Sequence, residues 1–200
     1  MKKGPYSLAA PLFEAKGSNR TLQDISIRFC GFGGQGIVLS AVIFGTTAVT
    51  KAGLNAVQMQ SYGSEARGGE CQAEVIVSAH PIDSPLADSM DVLVAMSQSA
   101  LDKFFASLKE EGMLIIDPEF VDRPAGVKQA VFEVPATRIA NENGAKLAAN
   151  MVMLGFLQQK KTLFSAEDLK AVIADTVPAA FRDVNLRAVE SGMQWARQWT

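Results

Sequence analysis

The first residues with evident chemistry are Gly31-Phe32-Gly33-Gly34-Gln35-Gly36, a G-x-G-x-x-G run. That spacing suits a phosphate. The first glycine permits a tight turn, the second lets backbone approach a pyrophosphate, and the third lets a helix pack closely on its strand. Backbone N–H groups at the helix start then offer partial positive charge to an anion. A dinucleotide site also wants an Asp or Glu about 20 residues further on, to hold the ribose hydroxyls. The chain has Gln58, Met59, Gln60 and Ser61 there, with no acid before Glu65 and no arginine for a 2′-phosphate. Three readings stay open: an anionic or phosphate-bearing ligand other than NAD, NAD itself held without the acid, or a turn that binds nothing.

A second run, Ser61-Tyr62-Gly63-Ser64-Glu65-Ala66-Arg67-Gly68-Gly69, sets a carboxylate and a guanidinium on permissive backbone. Arg67 can clamp a carboxylate or phosphate through two parallel N–H bonds, or close an internal pair with Glu65. The run follows the second strand, so it is expected at the sheet edge that carries the first glycine turn. Open α/β sheets bind ligands at that edge.

Other chemistry is sparse. There is no nucleophile elbow, no phosphate-loop lysine and no zinc-ligand spacing. His80 is the one histidine and reads as a turn residue before Pro81. Asp117 and Glu119 close a strand without forming a recognisable acid–base pair. Cys30 and Cys71 are too few for a four-thiolate cluster and read as small buried hydrophobes. No catalytic residue and no metal ligand is assigned, and the chain alone is expected to be inactive.

These groups must be held by a scaffold that the pattern outlines. Ile25–Cys30 alternates as a strand, the glycine turn follows, and Ile37–Ala52 reads as a helix with Gly53 at its end. Further strands are expected at Ala56–Gln60, Cys71–Val77, Asp91–Met96, Met113–Asp117 and Val127–Val134. A helix is expected at Ser99–Glu110, and others at 137–159, 165–176 and 183–198. Ser165 followed by Asp168 fits an N-cap with an acid in the first turn. Alternating strands and helices with a helical C-terminus predict an α/β, Rossmann-like three-layer sandwich on a mostly parallel sheet. Residues 1–24 read as an irregular N-terminal extension and 25–200 as one α/β domain. Phe104-Phe105, Trp195 and Trp199 read as packing residues, and Lys160-Lys161 as a solvated helix end.

Composition sets the outer bounds. Of 200 residues, 48% are apolar and 20% charged, too apolar for intrinsic disorder. A net charge of −2 supplies no field to recruit nucleic acid. Apolar runs such as Met151–Leu157 fall far short of the ~20 residues of a membrane span. No apolar core follows the basic start, so no secretory leader is expected and a cytoplasmic location is.

Taken in order, the two glycine runs, Ile82-Asp83-Ser84-Pro85 and Ala149-Asn150-Met151-Val152-Met153-Leu154-Gly155 resemble the gamma subunit of 2-oxoacid:ferredoxin (or other acceptor) oxidoreductases. The likeness covers about residues 25–158. The Ser-Tyr-Gly-x-Glu-x-Arg-Gly-Gly form is closer to the 2-oxoglutarate than to the pyruvate branch, with Ser64 where that branch has proline. The resemblance implies a multisubunit enzyme making acyl-CoA and CO2 by oxidative decarboxylation. It implies thiamine diphosphate with Mg2+ between alpha and beta subunits, and [4Fe-4S] clusters on beta or a ferredoxin-like delta subunit. Ferredoxin or another acceptor takes the electrons. The gamma chain would be non-catalytic, aiding assembly and coenzyme A binding. Its site would comprise Gly31, Gly33, Gly34, Gln35, Gly36, Ser61, Tyr62, Glu65, Arg67, Gly68 and Gly69. The competing readings are a free-standing dinucleotide-binding oxidoreductase and a pure scaffold subunit. An isolated copy, with its interface exposed, is expected to self-associate.

Overall fold

The computed structural model describes residues 24–62, 69–145 and 147–199. The expected N-terminal extension therefore lies outside the described residues up to Asp24.

Strand β1 (Ile25–Phe32) is the axis of the fold. Its alternation sends Ile25, Ile27 and Phe29 into one apolar core and Cys30 into a second on the other face. Helix α1 (Ile37–Thr50) follows the glycine turn and buries Ile37, Ala41, Phe44 and Ala48 on the first face. Strands β2 (Asn55–Tyr62), β3 (Glu70–Ser78), β4 (Met90–Ala95), β5 (Leu108–Ile116) and β6 (Ala130–Glu133) complete a sheet ordered β2-β3-β1-β4-β5-β6. The pairings β1–β4, β4–β5 and β5–β6 are parallel, while β1–β3 and β3–β2 are antiparallel. β2 therefore runs in the same direction as β1 although β3 lies between them.

The sheet is sandwiched unequally. Helices α3 (Ala136–Glu142), α4 (Ala149–Lys160), α5 (Ala166–Thr176) and α6 (Arg182–Ala196) join α1 over the first face. Among the described residues the second face is covered by one helix, α2 (Gln98–Phe104), with Ala87, Phe105, Val121 and Val127. α4 and α6 cross at backbone distance, because a Cβ at Gly155 or Gly192 would strike the carbonyl of Val189 or Val152.

Three elements differ from the sequence reading. The helix expected over Ser99–Glu110 ends at Phe104, and a 3-10 turn at Phe105–Ser107 leads into β5. Ser107 donates its hydroxyl to the Phe104 carbonyl and accepts from Arg28, while Leu108 pairs with Met90. Tertiary pairing thus overrides the helical composition of Leu-Lys-Glu-Glu. The helix expected over 137–159 is two helices, separated where Gly144 takes φ 70°. The last strand keeps only Ala130–Glu133. Ser165 and Asp168 form a reciprocal capping box at the start of α5, as their spacing predicts.

Candidate functional site

β1 carries on through Gly31 and Phe32, opposite Cys71 and Glu70, before the chain turns. Gly34 and Gly36 hold φ of 96° and 74°, the left-handed region that glycine tolerates and L side chains rarely adopt. Gly36 is the N-cap of α1: its carbonyl accepts from Ser40 N–H at 2.9 Å, and no side chain caps the first turn. The leading N–H groups of a helix have no intrahelical partner and carry partial positive charge. No acidic residue stands in that turn to satisfy them. Space beside Gly34 is open where a Cβ would sit. Among the described residues, then, no side-chain cap and no first-turn acid satisfies the donors at the start of α1.

Side chains beneath the turn fix its shape. Gln35 accepts from Phe32 N–H through Oε1 at 2.6 Å and donates through Nε2 to the Met96 carbonyl at 2.9 Å. The Met96 N–H in turn donates to the Cys30 carbonyl at 2.9 Å, so β4 and the turn are locked together. Gly31 has no room for a side chain, with Ile37 Cδ1 at 3.0 Å and Met96 Cβ at 3.2 Å from the Cβ position. Asn150, buried at the start of α4, donates through Nδ2 to the Gly36 carbonyl at 3.3 Å and to Ser40 Oγ at 3.4 Å. A Cβ on Gly36 would collide with that amide. Asn150 is the positioning residue that single-site reasoning missed. Its one visible signal is a lone amide in the apolar stretch Ala149–Leu157.

The second glycine run comes to the same edge. Tyr62 pairs with Cys71, which pairs with Gly31, and Gly33 N–H donates to the Gly69 carbonyl at 3.0 Å. Ser61, Tyr62 and Gly69 thus flank the turn, with Ser61 and Tyr62 exposed. Glu65, Arg67 and Gly68 lie outside the described residues. The predicted residues divide by what is free. Gly33 spends its N–H on Gly69 and Gln35 spends its side chain internally, leaving Gly34, Gly36 and the start of α1 open.

The sulfur chemistry nearby is quiet. Burial pushes the Cys30 thiol up to about 12, Arg28 opposing only in part, and burial also raises Cys71. Neither is a thiolate near neutrality, the form that attacks or ligates. A cleft of about 470 Å³ opens at the opposite edge of the sheet, walled by Asp24, Asp83, Asp88 and Asp91 with Lys109 as its cation. Its carboxylates repel a phosphate, so the cleft is the wrong sign for the ligand that the glycine turn suits.

Four findings relate this geometry to known proteins. Residues 26–195 match the family described as Pyruvate ferredoxin/flavodoxin oxidoreductase. The 2-oxoglutarate synthase subunit KorC of Methanothermobacter thermautotrophicus is 43% identical over 175 residues, 84% of this chain and 93% of the relative. The crystal structure of the keto/oxoacid ferredoxin oxidoreductase gamma subunit from Geobacter sulfurreducens superposes with a TM-score of 0.80 at 35% identity, over 88% of this chain and 98% of that one. The 2-oxoglutarate:ferredoxin oxidoreductase from Magnetococcus marinus, solved with 2-oxoglutarate, coenzyme A and succinyl-CoA bound, gives 0.80 at 26% identity, over 88% of this chain and 32% of that one.

Proposed function

The chain belongs to the pyruvate ferredoxin/flavodoxin oxidoreductase family, and from that premise we propose that it is the gamma subunit of a CoA-acylating 2-oxoglutarate:ferredoxin oxidoreductase. The KorC relatives support the substrate, being named as 2-oxoglutarate synthase subunits. Thiamine diphosphate with Mg2+ and the [4Fe-4S] clusters belong, in this reading, to alpha, beta and delta partners. Coenzyme A supplies the thiol that takes the acyl group. This chain's part is to hold the coenzyme's phosphates. The N–H groups at Gly34, Gly36 and the start of α1 give an anion-friendly surface, and Arg67 adds a two-pronged cation from the adjoining run.

The carrying observation is the uncapped, acid-free start of α1 behind an open Gly34. In the purified complex, Arg67→Ala is expected to raise KM for coenzyme A about tenfold, the loss of roughly 1.4 kcal/mol of charge-assisted binding, with KM for 2-oxoglutarate unchanged. Unchanged coenzyme A kinetics and specific activity would sink the assignment. The Gly33–Gly69 bond and the internally spent Gln35 favour a second reading, in which the turn only shapes a subunit contact. That reading expects Gly33→Ala to weaken assembly while any assembled enzyme keeps its coenzyme A kinetics.

A further inference from the structure

β2 is an edge strand, and among the described residues nothing pairs with its outer side. From Asn55 to Tyr62 it holds an unbroken antiparallel register with β3, without a bulge. The eight residues Asn-Ala-Val-Gln-Met-Gln-Ser-Tyr include no charge and no proline. Six of the eight, Asn55 and Gln58–Tyr62, are exposed, Met59 at 39% and Tyr62 at 63%. Proteins ordinarily blunt such edges with lysine, proline, bulges or a covering element, because the open row of N–H and C=O groups templates another strand. Among the described residues none of those devices is present. The face carrying Val57 and Met59 is the one to which the described helices contribute only α2, which packs mainly on β1, β3 and β4.

We propose that this edge pairs with the same edge of a second copy of the chain, antiparallel and centred on Gln58, to make one continuous sheet. The sequence is self-complementary in that register. Val57 of one copy lies opposite Met59 of the other, Asn55 opposite Ser61, Ala56 opposite Gln60, and Gln58 opposite itself. Val57 meets Met59 on one face, flanked by the polar Asn55–Ser61 pairs, and Gln58 meets itself on the other, flanked by the Ala56–Gln60 pairs. Centring on Met59 instead would set Val57 against Ser61. A two-fold interface needs a patch that matches itself, and a neutral strand meets no like-charge penalty on doing so. A single pair of edge strands makes a small interface, the kind that associates weakly and transiently. This inference is independent of what the glycine turn binds.

The test is chemical and uses the full chain. Opposed Cα atoms of an antiparallel pair lie about 4.5–5.5 Å apart, inside the span that a disulfide bridges. Gln58→Cys is therefore expected to give a covalent dimer on mild oxidation, whereas Asn55→Cys, opposite Ser61, is not. The native Cys30 and Cys71 are buried and do not compete. Sedimentation of the unaltered chain should show a concentration-dependent dimer. Val57→Lys with Met59→Lys should abolish it at unchanged circular dichroism, and Val57→Glu with Met59→Lys should restore it by setting opposite charges across the two-fold. A chain that stays monomeric, equal cross-linking at positions 55 and 58, or a Gln58→Cys cross-link to a different subunit in the co-purified complex would each overturn the proposal.

Discussion

The two flanks of the sheet follow different rules. On one side of β1, the parallel strands β4 and β5 are apolar on both faces, with Val92, Val94 and Ile115 fully buried in the first core and Leu93, Leu114 and Ile116 fully buried in the second. On the other side, β3 and β2 are antiparallel and both lie under α1 on one face, while on the other face α2 reaches β3; β3 alternates half-buried with buried residues from Glu70 to Val75, and β2 is exposed along most of its length. Parallel strands need cover on both faces, whereas antiparallel ones can leave one face wet. The covered flank supplies stability and the open flank supplies surface. The glycine turn sits on β1, where the two meet, so its back is packed by β4 and α4 while its front is shared with the ends of β2 and β3.

The comparison is broken most severely from the covered side. Phe156 is fully buried on α4 and packs on Phe132 of β6, next to β5, with ring centroids 5.5 Å apart. Phe156→Ala is expected to cost about 3–5 kcal/mol, through lost transfer energy and the cavity left behind. Chemical denaturation reads this as a lower midpoint at unchanged slope. A loss below ~1 kcal/mol would mean that the covered flank is not where stability resides.

Asn150 probes the junction. Asn150→Ala removes the buried amide that donates to the Ser40 hydroxyl and, beside the Ser40 N–H, to the Gly36 carbonyl, and is expected to cost about 1–2 kcal/mol. If the turn also holds coenzyme A, KM for that substrate rises in the assembled enzyme by more than the stability loss predicts at a temperature well below melting. Asn150→Asp keeps the shape but sets a buried carboxylate against the Gly36 carbonyl, and should cost more than the alanine variant.

How much of this was legible in the sequence follows the range of the forces involved. β1, the glycine turn and α1 are contiguous, and period-two alternation running into G-x-G-x-x-G specifies them locally. Ser165 and Asp168 cap α5 for the same reason. What local pattern could not supply is strand order. Nothing within β3 says that it inserts between β1 and β2, because that choice is made by which faces bury Val75 and Val77 against α1. The Leu108–Gly112 segment has helical composition but is taken into the sheet by Met90, with Arg28 and Ser107 ending the helix before it. The Asn150–Gly36 contact spans 114 residues. A bond that long in sequence leaves no mark in the spacing of either partner. For the site, the sequence placed the two glycine runs at one edge, but not which of their groups are already spent.

Asp91 gives a pH-dependent effect on the covered flank. Its carboxylate ties β1 to β5, accepting from Ser26 N–H at 2.8 Å and Ser26 Oγ at 2.9 Å and pairing with Lys109 Nζ at 2.6 Å. Burial pushes the acid up, but the bonds from Lys109 and Ser26 together outweigh it and leave the group below its ordinary value. A carboxyl lowered on folding stabilises the protein above its unfolded pKa, near ~4, and that stability is lost as pH falls through the lower folded value. Asp91→Asn should therefore melt earlier than the parent near neutrality, with the gap closing as pH drops below ~4. A gap that persists undiminished through the acid limb would show that the side chain acts by shape rather than by charge.

The smallest expected effect is the sharpest test of the comparison, because it predicts almost nothing. Met59 is a large apolar side chain in the middle of a strand, the setting in which truncation to alanine usually costs 2–5 kcal/mol when the site is a core, on the order seen for buried methionine. Here it is 39% exposed on the flank's open face. Met59→Ala should change the denaturation midpoint of the dilute, monomeric chain by no more than about 0.5 kcal/mol, the usual range for surface positions. Raising the protein concentration should then separate parent from variant, since the lost contact is one made between copies and enters stability by mass action. A difference of full core size at every concentration would mean that Met59 is packed by its own chain and that the open flank is not open.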